Sequence, residues 1–196
     1  MDLEFLDTLQ EGWRPVSKAA RIGWLAFFGI FLLYALRNKG GFLFIDYAML
    51  PIHEGGHLLF GWFGQTIGVM GGTLLQLLVP LALAVYFVFQ RHVIATAFAS
   101  FFLFENFLNI ATYMADARTQ ALQYVTVGGG GEGIHDWAYL FIKLGVLEHD
   151  TQIAAVVRLL GWCGMLAVVA WMWWRTRPPA TAPPRDPDWH LRRLKR

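Results

Sequence analysis

The sequence predicts an all-α, polytopic transmembrane bundle of about five spans, with one further short re-entrant or interfacial helix. Three observations predict it. The 196 residues are 56% hydrophobic and only 15% charged, with a mean hydropathy of +0.43, which is too apolar for an ordinary soluble domain. Several apolar runs approach the roughly 20 residues that a bilayer crossing requires. The last run ends in Trp171, Trp173 and Trp174, an aromatic cluster of the kind that settles at a membrane interface.

Taken in order, residues 1–21 form a short amphipathic segment, with Leu3, Phe5, Leu6, Leu9 and Trp13 among charges, suited to the interface. Residues 22–36 are the first apolar run, flanked by Arg21 and Arg37, whose long stems can snorkel to water. Asn38-Lys39-Gly40-Gly41 is a turn signal. Residues 42–64 form the second run, with Pro51 placed to kink it or to start a new helix. Residues 66–89 follow, with Gly68, Gly71 and Gly72 near the start and Gln76 as the one strongly polar interior side chain. The fourth run, residues 93–114, ends on a polar face of Glu105, Asn106, Asn109 and Thr112, with Asp116 just beyond. Residues 115–136 are mostly non-apolar and carry Gly128-Gly129-Gly130-Gly131, a hinge or lid rather than a phosphate cradle because no Lys-Ser/Thr follows. Residues 137–147 are apolar but too short to span, and residues 153–174 make the last crossing. The membrane domain thus covers residues 1–174, and residues 175–196 read as a disordered basic tail.

Charge and cysteine usage narrow the class. The single cysteine, Cys163, allows neither an internal disulfide nor a cysteine-ligated zinc site. No cleavable signal peptide is visible at the N-terminus. The distribution of Lys and Arg places the C-terminal tail in the cytoplasm, most naturally of a prokaryotic inner membrane. The tail's basic residues suit anionic lipid, and no nucleic-acid partner is expected.

The chemistry sits in the second run, at His53-Glu54-Gly55-Gly56-His57. Residues four apart share a helix face, so His53 and His57 can offer two imidazoles to one metal. Glu54 is then placed as general base toward a water held by that metal. Ionisable side chains are costly inside a membrane span and mark function there. The paired glycines imply that another backbone or a substrate comes close. A catalytic zinc site needs a third protein ligand. Asp116 is the first choice, with Asn106 and Asn109 upstream to orient it or to bind an extended substrate. Its competing reading is a helix-end carboxylate paired with Arg118. His135 and Asp136 compete for the ligand position, although Asp136 also fits a helix N-cap before Trp137. Glu105 can reach the same site, be buried in its protonated form or bond to Gln76. Asp46 can orient a histidine or simply sit at the interface, and His149 with Asp150 reads as a cap for the last helix.

Together, HEGGH in a membrane helix, Gly71-Gly72-Thr73 running into residues 74–80, and the stretch from Asn109 to Asp116 resemble the site-2-protease class of intramembrane zinc metallopeptidases, in its minimal branch. The resemblance implies Zn2+ held by His53, His57 and an aspartate of a later span, here Asp116, with Glu54 as the catalytic residue. The later stretch lacks the class's proline, and Ala117 stands where a glycine is usual, so His135 and Asp136 stay open as third ligand.

The leading expectation is therefore a membrane zinc hydrolase that cleaves a peptide bond of a membrane protein or peptide in or beside the bilayer. A lipid or other amide is the alternative substrate. A metal transporter or a non-catalytic metal-binding membrane protein is the alternative class, although transport favours an internal repeat, and none is visible.

Overall fold

The computed structural model describes residues 12–38, 41–122 and 135–177. Among these are six α-helices: α1 (Lys18–Arg37), α2 (Asp46–Phe60), α3 (Gln65–Phe89), α4 (Val93–Ala115), α5 (Asp136–Leu144) and α6 (Asp150–Thr176). Short 3-10 turns, Gly61–Phe63 and Leu147–His149, precede α3 and α6. Residues 1–11, the four-glycine run and the tail beyond 177, on which the interfacial, lid and disorder expectations fall, lie outside the described residues.

Four helices (α1, α3, α4 and α6) are long and apolar enough to cross a membrane. The fold is the expected all-α bundle, with four long helices rather than five. The missing span is α2. Its 15 residues extend only about 22 Å at 1.5 Å per residue, against a hydrocarbon core of about 30 Å. The chain reaches α2 by turning back into the bundle. The Phe44 amide donates to the Tyr34 hydroxyl at 2.9 Å, and Asn38 Nδ2 donates to the Phe42 carbonyl at 2.8 Å. Asp46, at the start of α2, is thereby buried beside Glu105 and Asn109 of α4. From there α2 runs back to the end it came from, and the turn at residues 61–64 sends the chain into α3.

This path puts the start of α1, the α3–α4 turn and the end of α6 together. The Arg14 amide donates to the Arg91 carbonyl at 2.9 Å. Trp13 and Trp171 meet edge to face at 5.6 Å, and Arg175 lies over the Trp13 ring. Local capping explains where helices begin. Ser17 Oγ accepts from the Ala20 amide at the start of α1, and His92 Nδ1 accepts from the Ala95 amide at the start of α4, each satisfying an orphan first-turn donor. At the other end of the bundle, Arg118 pairs with buried Asp150 at 2.8 Å, tying the chain after α4 to the start of α6.

α4 is the centre of the bundle. Its face carrying Val93, Ala97, Phe101, Phe102 and Leu108 packs with Phe28, Met165, Val168 and Met172. A second cluster, Ile110, Ala111, Met114, Ala138, Phe141 and Ala154, seats α5. In contrast, Ile22, Ile30, Leu33 and Leu36 of α1 are exposed, as an apolar solvent such as lipid permits. The closest crossing joins α2 to α3. A Cβ added at Gly56 would run into the Gly71 carbonyl and lie 2.9 Å from Gly72 Cα. Only paired glycines let the two backbones come this near.

Candidate metal centre

His53 and His57 occupy successive turns of α2 and face the same way, with ring centroids 4.8 Å apart. A third group reaches them from α5, 79 residues after His57 in sequence. Asp136 Oδ2 lies 3.0 Å from His53 Nε2 and 3.2 Å from His57 Nε2. These three ligand atoms lie within 4.8 Å of one another, forming a His/His/Asp cluster able to chelate a metal ion. The side chains are 12%, 26% and 8% exposed.

The far side of each ring is fixed. His53 Nδ1 lies 3.0 Å from Gln76 Oε1, and His57 Nδ1 lies 2.8 Å from the Gly68 carbonyl. Both partners are acceptors, with the Gln76 amide oriented by donating its Nε2 to Asn109 Oδ1 at 2.9 Å. Both Nδ1 atoms therefore carry the proton, and both Nε2 atoms turn a lone pair toward the Asp136 carboxylate. Three acceptor atoms then converge with no proton among them. Without a metal, a proton on His57 relieves part of this, since the bond to Asp136 pushes that imidazole up to about 9; protonating both rings would put two cations on one carboxylate oxygen in an apolar bundle, an expensive arrangement. One metal ion relieves it directly, and the tautomer-fixing carbonyls are the usual outer partners of metal-bound histidines.

The α3 backbone comes close to both histidines at Gly72. A Cβ at that position would lie 2.6 Å from His53 Nε2 and 2.6 Å from His57 Nε2. Only a residue without a side chain lets α3 come this near the two Nε2 atoms.

Asp136 is available because His135 takes the capping role. His135 Nδ1 accepts from the Ala138 amide, so His135 is the N-cap of α5 and Asp136 its first helical residue, in contrast to the sequence-based N-cap reading of Asp136. The Asp136 amide is bound by the Tyr113 hydroxyl at 3.2 Å, and the Tyr113 ring lies against His135. Burial pushes the Asp136 carboxyl up, but the hydrogen bonds and charge that the imidazoles supply when protonated outweigh it and hold it below the ordinary carboxylate range.

Asp116, the first choice as third ligand, is placed elsewhere. Its Oδ1 accepts from Thr119 Oγ1 at 2.5 Å and the Ala121 amide at 2.8 Å, and its Oδ2 accepts from the Leu122 amide at 3.1 Å. It folds the chain after α4 and faces His135 Nε2 at 3.6 Å; Arg118 pairs with Asp150 and Glu148 instead. Asn106 donates to the Phe102 carbonyl of its own helix. Glu105 is fully buried and turned toward Asp46, not toward Gln76 or the histidines. Asn109 reaches the cluster only through Gln76. Glu54 is half-buried on α2 beside His53. The outer partners Gln76 and Gly68 and the spacer Gly72 were not legible as site residues, although Gln76 stood out as the lone strong polar group of its run. Compared with known proteins, the chain matches no family model, no curated protein and no solved structure.

Proposed function

We propose that the chain is a membrane-embedded zinc hydrolase, with His53, His57 and Asp136 as zinc ligands and Glu54 as general base. The observation that carries this reading is the convergence of two Nε2 lone pairs and one carboxylate oxygen, with both Nδ1 atoms held by carbonyl oxygens. The spacing fits the ion. Tetrahedral bonds of about 2.0–2.1 Å set ligand atoms about 3.3 Å apart, and the ligand edges to Asp136 are 3.0 and 3.2 Å. Two histidines and a carboxylate leave a fourth position for water or substrate, as in catalytic rather than structural zinc sites. Bound zinc would polarise a substrate carbonyl and acidify water there.

Within that site, His53 and His57 bind and orient, while Asp136 supplies the negative charge that balances the ion. Glu54 sits next to His53 on the same helix, where a carboxylate can take a proton from water and return it to the leaving group. A ligand set that only stored metal would have no use for that base. The short α2 packs on α3 with Tyr47, Leu58 and Leu59 exposed, which supports a substrate approached from the membrane, and a peptide bond of a membrane protein is the substrate class we favour. The Lys and Arg at the end shared by Arg14, Arg91 and Arg175 support a cytoplasmic position for that end.

The test is metal content of the detergent-purified chain, with hydrolysis of membrane-inserted peptides read in parallel. Wild type should carry about one zinc, lost in His57→Ala and Asp136→Ala and kept in Asp116→Ala. Glu54→Gln should keep zinc and lose about 10²-fold or more of the hydrolysis rate. A wild type that takes up no metal refutes the reading. Full hydrolysis by Glu54→Gln removes the base, and hydrolysis confined to lipid amides replaces the peptide substrate.

A further inference from the structure

A second group of polar side chains lies deeper in the bundle, away from the three ligands. Asp46 at the start of α2 and Glu105 in the middle of α4 are 6% and 0% exposed, and their carboxyl groups are in contact. Neither Glu105 Oε1 nor Oε2 has a hydrogen-bond partner among the described residues, and Asp46 Oδ1 likewise has none. Two carboxylates cannot be buried against each other with both charges and no donor. A proton between them resolves both problems.

The surroundings decide which residue holds it. Asp46 Oδ2 accepts the Leu43 amide at 2.5 Å, and the Asn109 side chain lies beside the same carboxyl. Donors favour the ionised form. Glu105 has no such donor among the described residues, so it takes the proton and gives it as a hydrogen bond to Asp46. The chain of polarity then continues to the metal centre. Asn109 Oδ1 accepts Gln76 Nε2 at 2.9 Å, which leaves its Nδ2 as the group to serve Asp46. Gln76 Oε1 in turn accepts the Nδ1 proton of His53 at 3.0 Å. Every donor and acceptor in the series is consistent with a single negative charge at Asp46.

We propose that Asp46 and Glu105 form a buried proton-holding pair that acts as a positioning device for His53. Its charge sets the direction of Asn109 and Gln76, and so keeps the Nε2 lone pair of His53 facing the ligand site. The device is the usual carboxylate partner of a metal-binding histidine, moved one helix away and transmitted by two side-chain amides. The metal half of this inference rests on the function proposed above; the proton and tautomer half does not.

The experiment uses the full chain in detergent. Infrared spectra of the metal-free protein at neutral pH should show a protonated-carboxyl band that disappears in Glu105→Gln. Nitrogen NMR should show His53 as the Nδ1–H tautomer in wild type and as a tautomer mixture in Asp46→Asn and Asn109→Ala. Zinc affinity, measured by chelator competition, should fall about 10–100-fold in Asp46→Asn and in Glu105→Ala. Glu105→Gln, whose amide can still donate to Asp46, should recover most of the loss seen in Glu105→Ala. Helical circular dichroism reports folding, and Asn109→Ala breaks the series without touching either carboxyl should Asp46→Asn not fold. Absence of the carboxyl band, an unchanged His53 tautomer in Asp46→Asn and Asn109→Ala, or equal zinc losses in Glu105→Gln and Glu105→Ala would overturn the proposal. A second zinc equivalent bound at the pair would also overturn it, making the pair a cation site. If wild type binds no zinc, the hydrolase reading fails, while the infrared and NMR results still decide this one.

Discussion

Replacing Gly72 with alanine adds one methyl group where α3 already packs close to both histidines. That carbon would lie 2.6 Å from His53 Nε2, 2.6 Å from His57 Nε2 and 2.7 Å from His53 Cε1. Comfortable non-bonded contact begins near 3.5 Å, so the rings or α3 must retreat by about 1 Å. Metal sites tolerate ligand displacements of about 0.2 Å. Disturbing the outer partners of a ligand already costs about 10–100-fold in metal affinity. A methyl group between the ligand atoms themselves should cost at least about 100-fold, or about 2.7 kcal/mol. The assay is zinc affinity of Gly72→Ala by chelator competition, with helical circular dichroism to confirm that the bundle is intact. A folded Gly72→Ala that binds zinc as tightly as wild type refutes the placement of the ion before the two Nε2 atoms.

Three other outcomes follow from neighbouring contacts. Gly55 and Gly56 are adjacent but unequal: a Cβ at 55 meets only Leu75 Cδ2 at 3.9 Å, whereas one at 56 collides with the Gly71 carbonyl. Gly55→Ala should match wild type in thermal unfolding of the detergent-solubilised chain, and Gly56→Ala should lower the midpoint sharply; equal behaviour would count against the glycine crossing. Gln76→Leu removes the acceptor of the His53 Nδ1 proton and should weaken zinc binding about 10–100-fold, read by the same competition assay. Asp116 has a different pH signature. Burial pushes its carboxyl up, but bonds from Thr119, Ala121 and Leu122 outweigh it and hold the value below the ordinary 3.8. A lowered value stabilises the fold at pH above 3.8 and ceases to do so as pH falls through the folded value. Amide exchange of Ala121 and Leu122 should therefore be protected at neutral pH and lose that protection in strong acid. In Asp116→Asn the protection should already be reduced at neutral pH, while zinc stays bound.

The fold was legible wherever a signal is local. Apolar length located the four long helices, because a bilayer crossing needs only residues adjacent in sequence. The same rule failed for α2. Residues 42–64 form a single apolar run of crossing length, but the first few spend themselves turning back, fixed by Phe44 to Tyr34 and by Asp46 packed against α4. That turn is a tertiary fact, and hydropathy has no term for it. The spacing of His53 and His57 was legible for the same local reason, since four residues on a helix put two rings on one face.

The third member of the cluster depended on one position of register. Sequence reasoning left Asp136 between third ligand and N-cap of the short helix, a role aspartate fills well, and a capping carboxylate is spent on backbone amides. The structure gives the cap to His135, whose Nδ1 accepts the Ala138 amide. Asp136 then begins the helix, with its Oδ2 at the two histidines of α2. Asp116 suffers the reverse: it stands at a helix end, where a ligand seemed plausible, and three donors of the following turn consume its carboxylate. Which of two acidic residues meets the histidines is thus settled by which one the local backbone does not claim. A carboxylate already satisfied by amides gains little from a metal, whereas one facing two imidazoles is satisfied only by a proton on a ring or by a metal ion.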